Sequence, residues 1–367
     1  MIKHTIFGRE GIDQKTIDQF YDAISNPYTI EAALMPDAHF GYTMPIGGVA
    51  AVEGAIFPEW IGYDIGCGVC AAKTNFEFND IFKERKDIFN IIYKVIPTGF
   101  NHHTISTWTP SVQGDPTNWF KEMYARTNGA LQLGTLGSGN HFIEIGHSGR
   151  SIWIIVHSGS RNVGHQTATY YMKKAREIDP DHGALLVNST IGQEYIRDMN
   201  MCLEFALQNR RYIIKRVIEG LWALGIEGDE SGEMFINRNH NHAVERELDD
   251  KQVWIHRKGA THSEDGMLGI IPGNMRDGSC IVRGKGCREA LFSSSHGAGR
   301  TMSRKQAKQD LHLIDFQNQM NGITSKVDLG TLDESPGAYK DFESVLELQE
   351  DMVEVIDRIV PLINVKA

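Results

Sequence analysis

The chain is short of cysteine, of basic charge and of long apolar runs, and each shortage excludes something. Its 367 residues include five cysteines, an odd number at unrepeated spacings. No disulfide framework is expected from them, and the reducing cytoplasm is the expected compartment. No apolar stretch approaches the roughly 20 residues of a membrane-spanning helix. The start, Met1-Ile2-Lys3-His4-Thr5, lacks the charged-then-apolar pattern of a secretory signal. Lysine and arginine total 37 against 47 acidic residues, a net charge of −10. That balance argues against a broad basic face for duplex nucleic acid and leaves room only for a local basic groove. No repeat, low-complexity tract or linker divides the chain, so residues 1–367 are expected to form a single compact mixed α/β domain.

What the chain does have is glycine set among β-branched and polar residues. Gly11 through Leu34 carries Ile12, Ile17, Phe20, Tyr21 and Ile24 at helical spacing. Pro36 to Thr74 reads as strands and turns, and Asp80 to Ile96 as a helix. Pro97 to Pro116, with His102, His103 and Trp108, reads as a loop, and Trp119–Leu131 as a short helix. Ile152–Val156 is a short apolar strand, and His165 to Leu224 is mostly helical with a break at Asp179-Pro180. Strands are expected near Asn237–Glu245, Val253–Thr261 and Ile270–Arg283, and a closing helix over Asp341–Ile359.

Five places share one design, a metal-binding or nucleophilic side chain at a strand edge or glycine turn. They are Asp64 with Cys67, His141 with Glu144, His157, His240, and His296 within Ser295-His296-Gly297-Ala298-Gly299-Arg300. Imidazole and thiolate suit transition metals, and a thiolate can bridge two of them. One Asp, one Cys and three His suffice for a two-metal site of the kind that serves phosphoryl transfer. Ser138-Gly139-Asn140-His141 and His296 through Arg300 also read as anion cradles, with glycine-exposed N–H groups and an Arg. Read singly, each His is better explained as a hydrogen-bonded structural residue; read jointly, in glycine-rich surroundings, they are better explained as ligands. His242 lies two residues beyond His240, and strand parity alone leaves either as the ligand. Two-metal hydrolysis, as in a phosphatase or nuclease, is one alternative for such a site, and a non-catalytic binding factor is another.

Eight motifs in order resemble the RtcB family of RNA ligases. They begin with Pro36-Asp37-Ala38-His39-Phe40-Gly41, Pro45 through Ala50, and Asp64-Ile65-Gly66-Cys67-Gly68-Val69. Gly134 through Phe142, His157-Ser158-Gly159-Ser160-Arg161 and His256 through Thr261 follow, then Ser295 through Arg300 and Pro336 through Asp341. The resemblance implies GTP- and Mn²⁺-dependent joining of an RNA 3′-phosphate or 2′,3′-cyclic phosphate to a 5′-hydroxyl. It implies His296 as the nucleophile that carries GMP, and Asp64, Cys67, His141, His157 and His240 around two metals with Cys67 shared. It places Asn140, Phe142, Glu144, Pro272, Asn274, Ser279, Ala298, Gly299, Tyr339 and Lys366 around the nucleotide. Glu144 would either accept from guanine or orient His296. Arg161 and Arg300 would contact phosphate or RNA, and Arg257, Lys258 and Arg304 are expected to converge with them on one cleft. A monomer is the working expectation. The chain departs from the family at Asn274, where Ser is usual, at Cys70, where Arg is common, and at His242, where Tyr or another large apolar residue is common.

Overall fold

A computed structural model describes residues 2–106 and 114–366. Trp108 and the middle of the loop expected over Pro97–Pro116 lie outside the described residues. The fold is mixed α/β, and two sheets dominate it. In the first, Lys3–Ile6, Thr29–His39, Ile46–Val52, Lys251–Lys258 and Asn241–Leu248 lie side by side in that order. In the second the order is Leu268–Pro272, Ser279–Gly284, Val353–Lys366, Phe142–Ser148, Ser151–Ser158, Gly68–Thr74 and Glu230–Asn239, with Thr324–Ser325 beside Val353–Lys366.

Helices cover the faces that the sequence makes apolar. Phe78–Val95 and Thr190–Ala223 pack Ile81, Ile88, Ile92, Ile213, Ile214 and Val217 onto Ile143, Ile145, Ile154 and Val156 of the second sheet. Gln14–Ile24 lays Ile17, Phe20 and Ile24 on Ala32, Leu34 and Val52 of the first sheet. Each such side chain, fully buried, contributes about 1.5–3 kcal/mol of transfer free energy.

Three expected boundaries move. The first helix begins after Asp13, which accepts from Thr16 N–H at 3.0 Å, and ends at Ile24. The Asn26 side chain then accepts from the N–H groups of Tyr28 and Thr29 and turns the chain into a strand. Trp119–Leu131 divides into Asn118–Arg126 and Gly129–Gln132, with Asn128 between them at φ 54°. The closing helix is only Phe342–Glu347, and Val353–Lys366 is a strand in the middle of the second sheet. Val353, Val355, Ile356, Ile359, Val360, Ile363 and Val365 are β-branched, and stiffness at χ1 favours the pleated surface over the acid-rich helical pattern. Pro361, which cannot donate, sits where the ladder shifts register.

The two sheets meet at His240. Glu230–Asn239 pairs with Gly68–Thr74 in the second sheet, and Asn241–Leu248 pairs with Lys251–Lys258 in the first. His240 is the link between them. A second irregularity serves the same seam: Thr29–His39 loses register with Ile46–Val52 between Leu34 and His39. Lys340 Nζ donates to the Pro36 and Ala38 carbonyls at 2.9 Å and holds that bulge.

Candidate active site

Cys67, His141, His157, His240 and Asp64 come together at the seam. Cys67 Sγ lies 3.4 Å from His141 Nε2 and 3.3 Å from His157 Nε2. His157 Nε2 lies 3.3 Å from His240 Nε2, and His141 Nε2 lies 3.0 Å from Asp64 Oδ2. Two triads result, Cys67–His157–His240 and Asp64–Cys67–His141, and the thiol belongs to both. Cys67 and His157 sit at paired strand ends, His141 just before Phe142–Ser148, and Asp64 on the turn leading to Gly68–Thr74. Two glycines make the approach possible. A Cβ on Gly159 would stand 2.1 Å from Asp64 Oδ1, and one on Gly137, at φ 93°, would stand 1.8 Å from an Arg161 nitrogen.

The cluster is a set of ligand-type atoms facing one another. His141 Nδ1 donates to the Leu136 carbonyl at 2.8 Å, which fixes the ring with Nε2 directed at Asp64 and Cys67. Burial, then the neighbouring imidazoles, hold His157 and His240 well below the usual imidazole range. Burial and the Asp64 charge push the Cys67 thiol well up. Burial opposes ionisation of Asp64, yet the His141 hydrogen bond and the His141 and Arg161 charges hold its carboxyl below the ordinary value. Imidazoles, a carboxylate and one soft sulfur converging in this way fit divalent cations, whose binding would displace the protons these groups hold.

Arg210, on Thr190–Ala223, fixes the frame. Fully buried, it donates to the Gly66 and Ser158 carbonyls at 2.9 Å and to the Asn237 and Asn239 side chains at 2.6 Å. Leaving such buried groups unpartnered would cost about 1–3 kcal/mol each. One Arg within a long amphipathic helix carries no sequence signal, and the sequence reading missed it.

Beside the cluster is a cavity of about 290 Å³. Asn140, Phe142, Glu144, Pro272, Asn274, Ala298, Gly299, Tyr339 and Lys366 line it together with His296 and Arg300. Ser279 is not among the lining residues; it is buried, paired with Pro272 across the strands, and its side chain opposes the rise in the Glu144 pKa. Asn274 is engaged in its own turn, with Nδ2 2.6 Å from Asp277 Oδ2. Burial pushes the Glu144 carboxyl up to about 8, and its Oε1 is buried with no partner among the described residues. Lys366 Nζ pairs with Glu334 at 2.5 Å.

His296 stands between cavity and cluster, its ring 4.8 Å from that of His240. Its Nδ1 donates to Asp37 Oδ2 at 2.7 Å, and its backbone N–H donates to the same oxygen at 3.2 Å. His39 stacks on it at 6.5 Å. With Nδ1–H committed, Nε2 carries the lone pair in the neutral ring. Asp37 and His39 were visible in the sequence as a motif but had been given no role.

The cations converge only in part. Lys258, Arg300 and Arg304 border a cleft of about 780 Å³ whose lining also includes Cys67, His240 and His296. Arg161 borders a neighbouring cavity with Asp64, Asn140 and His141, and donates to Thr135 Oγ1 and the Gly99 carbonyl. Arg300 and Arg304 are engaged with the carbonyl of Asp333 and with the Asp333 and Glu334 carboxylates. Arg257 does not join them. Fully buried, it donates to Ser293 and to the Leu291 and Phe292 carbonyls, because strand parity sends Arg257 and Lys258 to opposite faces. His242 lies with Arg257, stacked on His262 at 4.4 Å. Parity misled here because no continuous strand joins His240 to His242. Cys70 packs in the apolar core with Ile154 and Val156.

A seam cluster of thiol, imidazole and carboxylate beside a cavity with an aspartate-held histidine defines an α/β protein with a candidate metal centre next to a ligand-sized cavity. The family model described as tRNA-splicing ligase RtcB matches residues 19–123 and 110–367. The RNA-splicing ligase RtcB of Escherichia coli K12 is 33% identical over 364 residues, covering 91% of this chain and 89% of the relative. The tRNA-splicing ligase RtcB of Thermococcus kodakarensis is 30% identical, covering 86% and 83%. The chain belongs to the RtcB family.

Proposed function

We propose that the protein is a GTP-dependent RNA ligase, with residues 1–367 acting as one cytoplasmic catalytic domain. It joins RNA ends bearing a 3′-phosphate or 2′,3′-cyclic phosphate to 5′-hydroxyl ends, in RNA repair or tRNA splicing. The observation that carries the reading is His296, held by Asp37 through Nδ1 and placed between the cavity of about 290 Å³ and the ligand cluster. Asp64, Cys67, His141, His157 and His240 would hold two Mn²⁺ ions, with Cys67 shared. Bound there, the ions would offset negative charge on the phosphates.

His296 Nε2 attacks the α-phosphorus of GTP, a P–N bond forms, and pyrophosphate leaves. A 3′-phosphate oxygen of the RNA then takes the GMP from the imidazole, and the 5′-hydroxyl displaces GMP to close the phosphodiester. Incubation with Mn²⁺ and GTP labelled at the α-phosphate tests the reading. An acid-labile label on the wild-type protein and none on His296→Ala is the expected result. No label on the wild type would overturn the ligase and leave a phosphatase or nuclease.

Glu144 accepts from the guanine N–H groups in this reading, and its position in the cavity makes the proposal testable by pH. Below its pKa of about 8 the empty site carries a proton on Glu144 that must leave when guanine binds. GMP affinity should therefore rise roughly tenfold per pH unit between about 6 and 8 and level off above. Glu144→Gln should remove that slope in titration calorimetry, since ionisation of the GMP phosphate is common to both proteins. Equal slopes in the two would take guanine off Glu144.

A further inference from the structure

Resting on the ligase reading, we propose that Tyr63 is a stacking platform for one unpaired base of the RNA next to the join. Tyr63 directly precedes Asp64, yet its ring contributes nothing to the ligand cluster. It is 42% exposed, and Tyr42, which meets it edge-on at 6.1 Å, is 82% exposed. His165 backs the Tyr63 ring at 5.0 Å with planes 20° apart. An aromatic ring left in water forgoes about 1.5–3 kcal/mol of burial. Here two rings are left so at the lip of a catalytic cleft, one of them held rigid by a stacked partner.

Their position selects the occupant. Tyr63 borders the 780 Å³ cleft that Cys67, His240 and His296 also line, and it borders the cavity of about 620 Å³ lined by Asp64, His141 and Arg161. It also borders a third cavity of about 530 Å³ that contains Lys258. Among the residues lining these three cavities, Tyr63 alone belongs to all of them. A strand whose terminal phosphate reaches His296 through the 780 Å³ cleft runs along a wall that includes this ring, with Arg161 lining the neighbouring cavity. Every base presents a π-face, so the contact tolerates any sequence. It demands an unstacked nucleotide, which single-stranded RNA supplies and an intact duplex does not. With a net charge of −10 over the whole chain, stacking supplies binding that a broad basic surface would otherwise provide.

The test uses the full chain with Mn²⁺ and without GTP, and fluorescein-labelled single-stranded RNA read by anisotropy. Tyr63→Leu, which keeps bulk and loses the π-face, should weaken binding about 10- to 100-fold, and Tyr63→Phe should bind as the wild type does. RNAs with an abasic site at each terminal nucleotide position, in 3′-phosphate and 5′-hydroxyl series, then close the cycle. At one position the abasic RNA should bind wild type and Tyr63→Leu equally, which also names the strand concerned. Undiminished binding by Tyr63→Leu, an equal loss on every abasic RNA, or a matching loss in Tyr63→Phe would overturn the platform. Failure of the reading beneath it shows separately, as a wild-type protein that takes no label from GTP.

Discussion

Asp37→Asn should slow guanylylation of His296 roughly a thousandfold while leaving GTP affinity nearly intact. The carboxylate accepts both the ring Nδ1–H and the backbone N–H of His296 through one oxygen. An asparagine with its amide turned the other way donates to Nδ1 and forces the proton onto Nε2, the atom that must attack. In the opposite flip it aims two N–H donors at the place of Asp37 Oδ1, which is buried without a partner among the described residues. Loss of an orienting carboxylate with the wrong tautomer costs about 10⁴ where a histidine acts as base, and the flip that keeps the right tautomer makes the expected loss smaller. Asp37 does not border the nucleotide cavity, so single-turnover labelling should separate a lost rate from a lost affinity. Labelling within threefold of wild type would remove Asp37 from the mechanism.

Cys67→Ala should abolish guanylylation and reduce bound metal, whereas Cys70→Ala should do neither. The Cys67 sulfur is the atom common to both ligand triads, so its removal leaves His157 with His240 on one side and Asp64 with His141 on the other. Two donors in place of three no longer enclose a cation, and elemental analysis of protein dialysed against Mn²⁺ should show the loss directly. Cys70 stands three residues on, packed with Ile154 and Val156 on the helix-covered side. Truncating it removes one small buried side chain and should cost on the order of 1 kcal/mol of stability with labelling retained. If both variants label normally, the seam cluster is not a metal site.

Glycine-rich strings around Asp64, His141, His157 and His296 announced a site because side chains can crowd only where backbones carry no Cβ. Gly159 and Gly137 show that crowding in atomic terms. The helices Phe78–Val95 and Arg161–Ile178 were legible because apolar spacing records which face is buried. Val353–Lys366 was not, because acidic residues among its β-branched ones gave a helical spacing, and its place between two strands is a non-local fact.

Sequence by itself determined the inventory: one thiol, one carboxylate, four histidines and a family-wide order of motifs. Tertiary structure decided which of them meet. His240 rather than His242 faces Cys67 because the chain changes sheets at residue 240, and a period of two holds only within one strand. Arg257 went to the far face, Arg210 entered unannounced from a helix, and Asp37 found His296 across 259 residues. Each of these depends on how two sheets are set against each other, and that follows from the packing of whole faces rather than from any local run of residues.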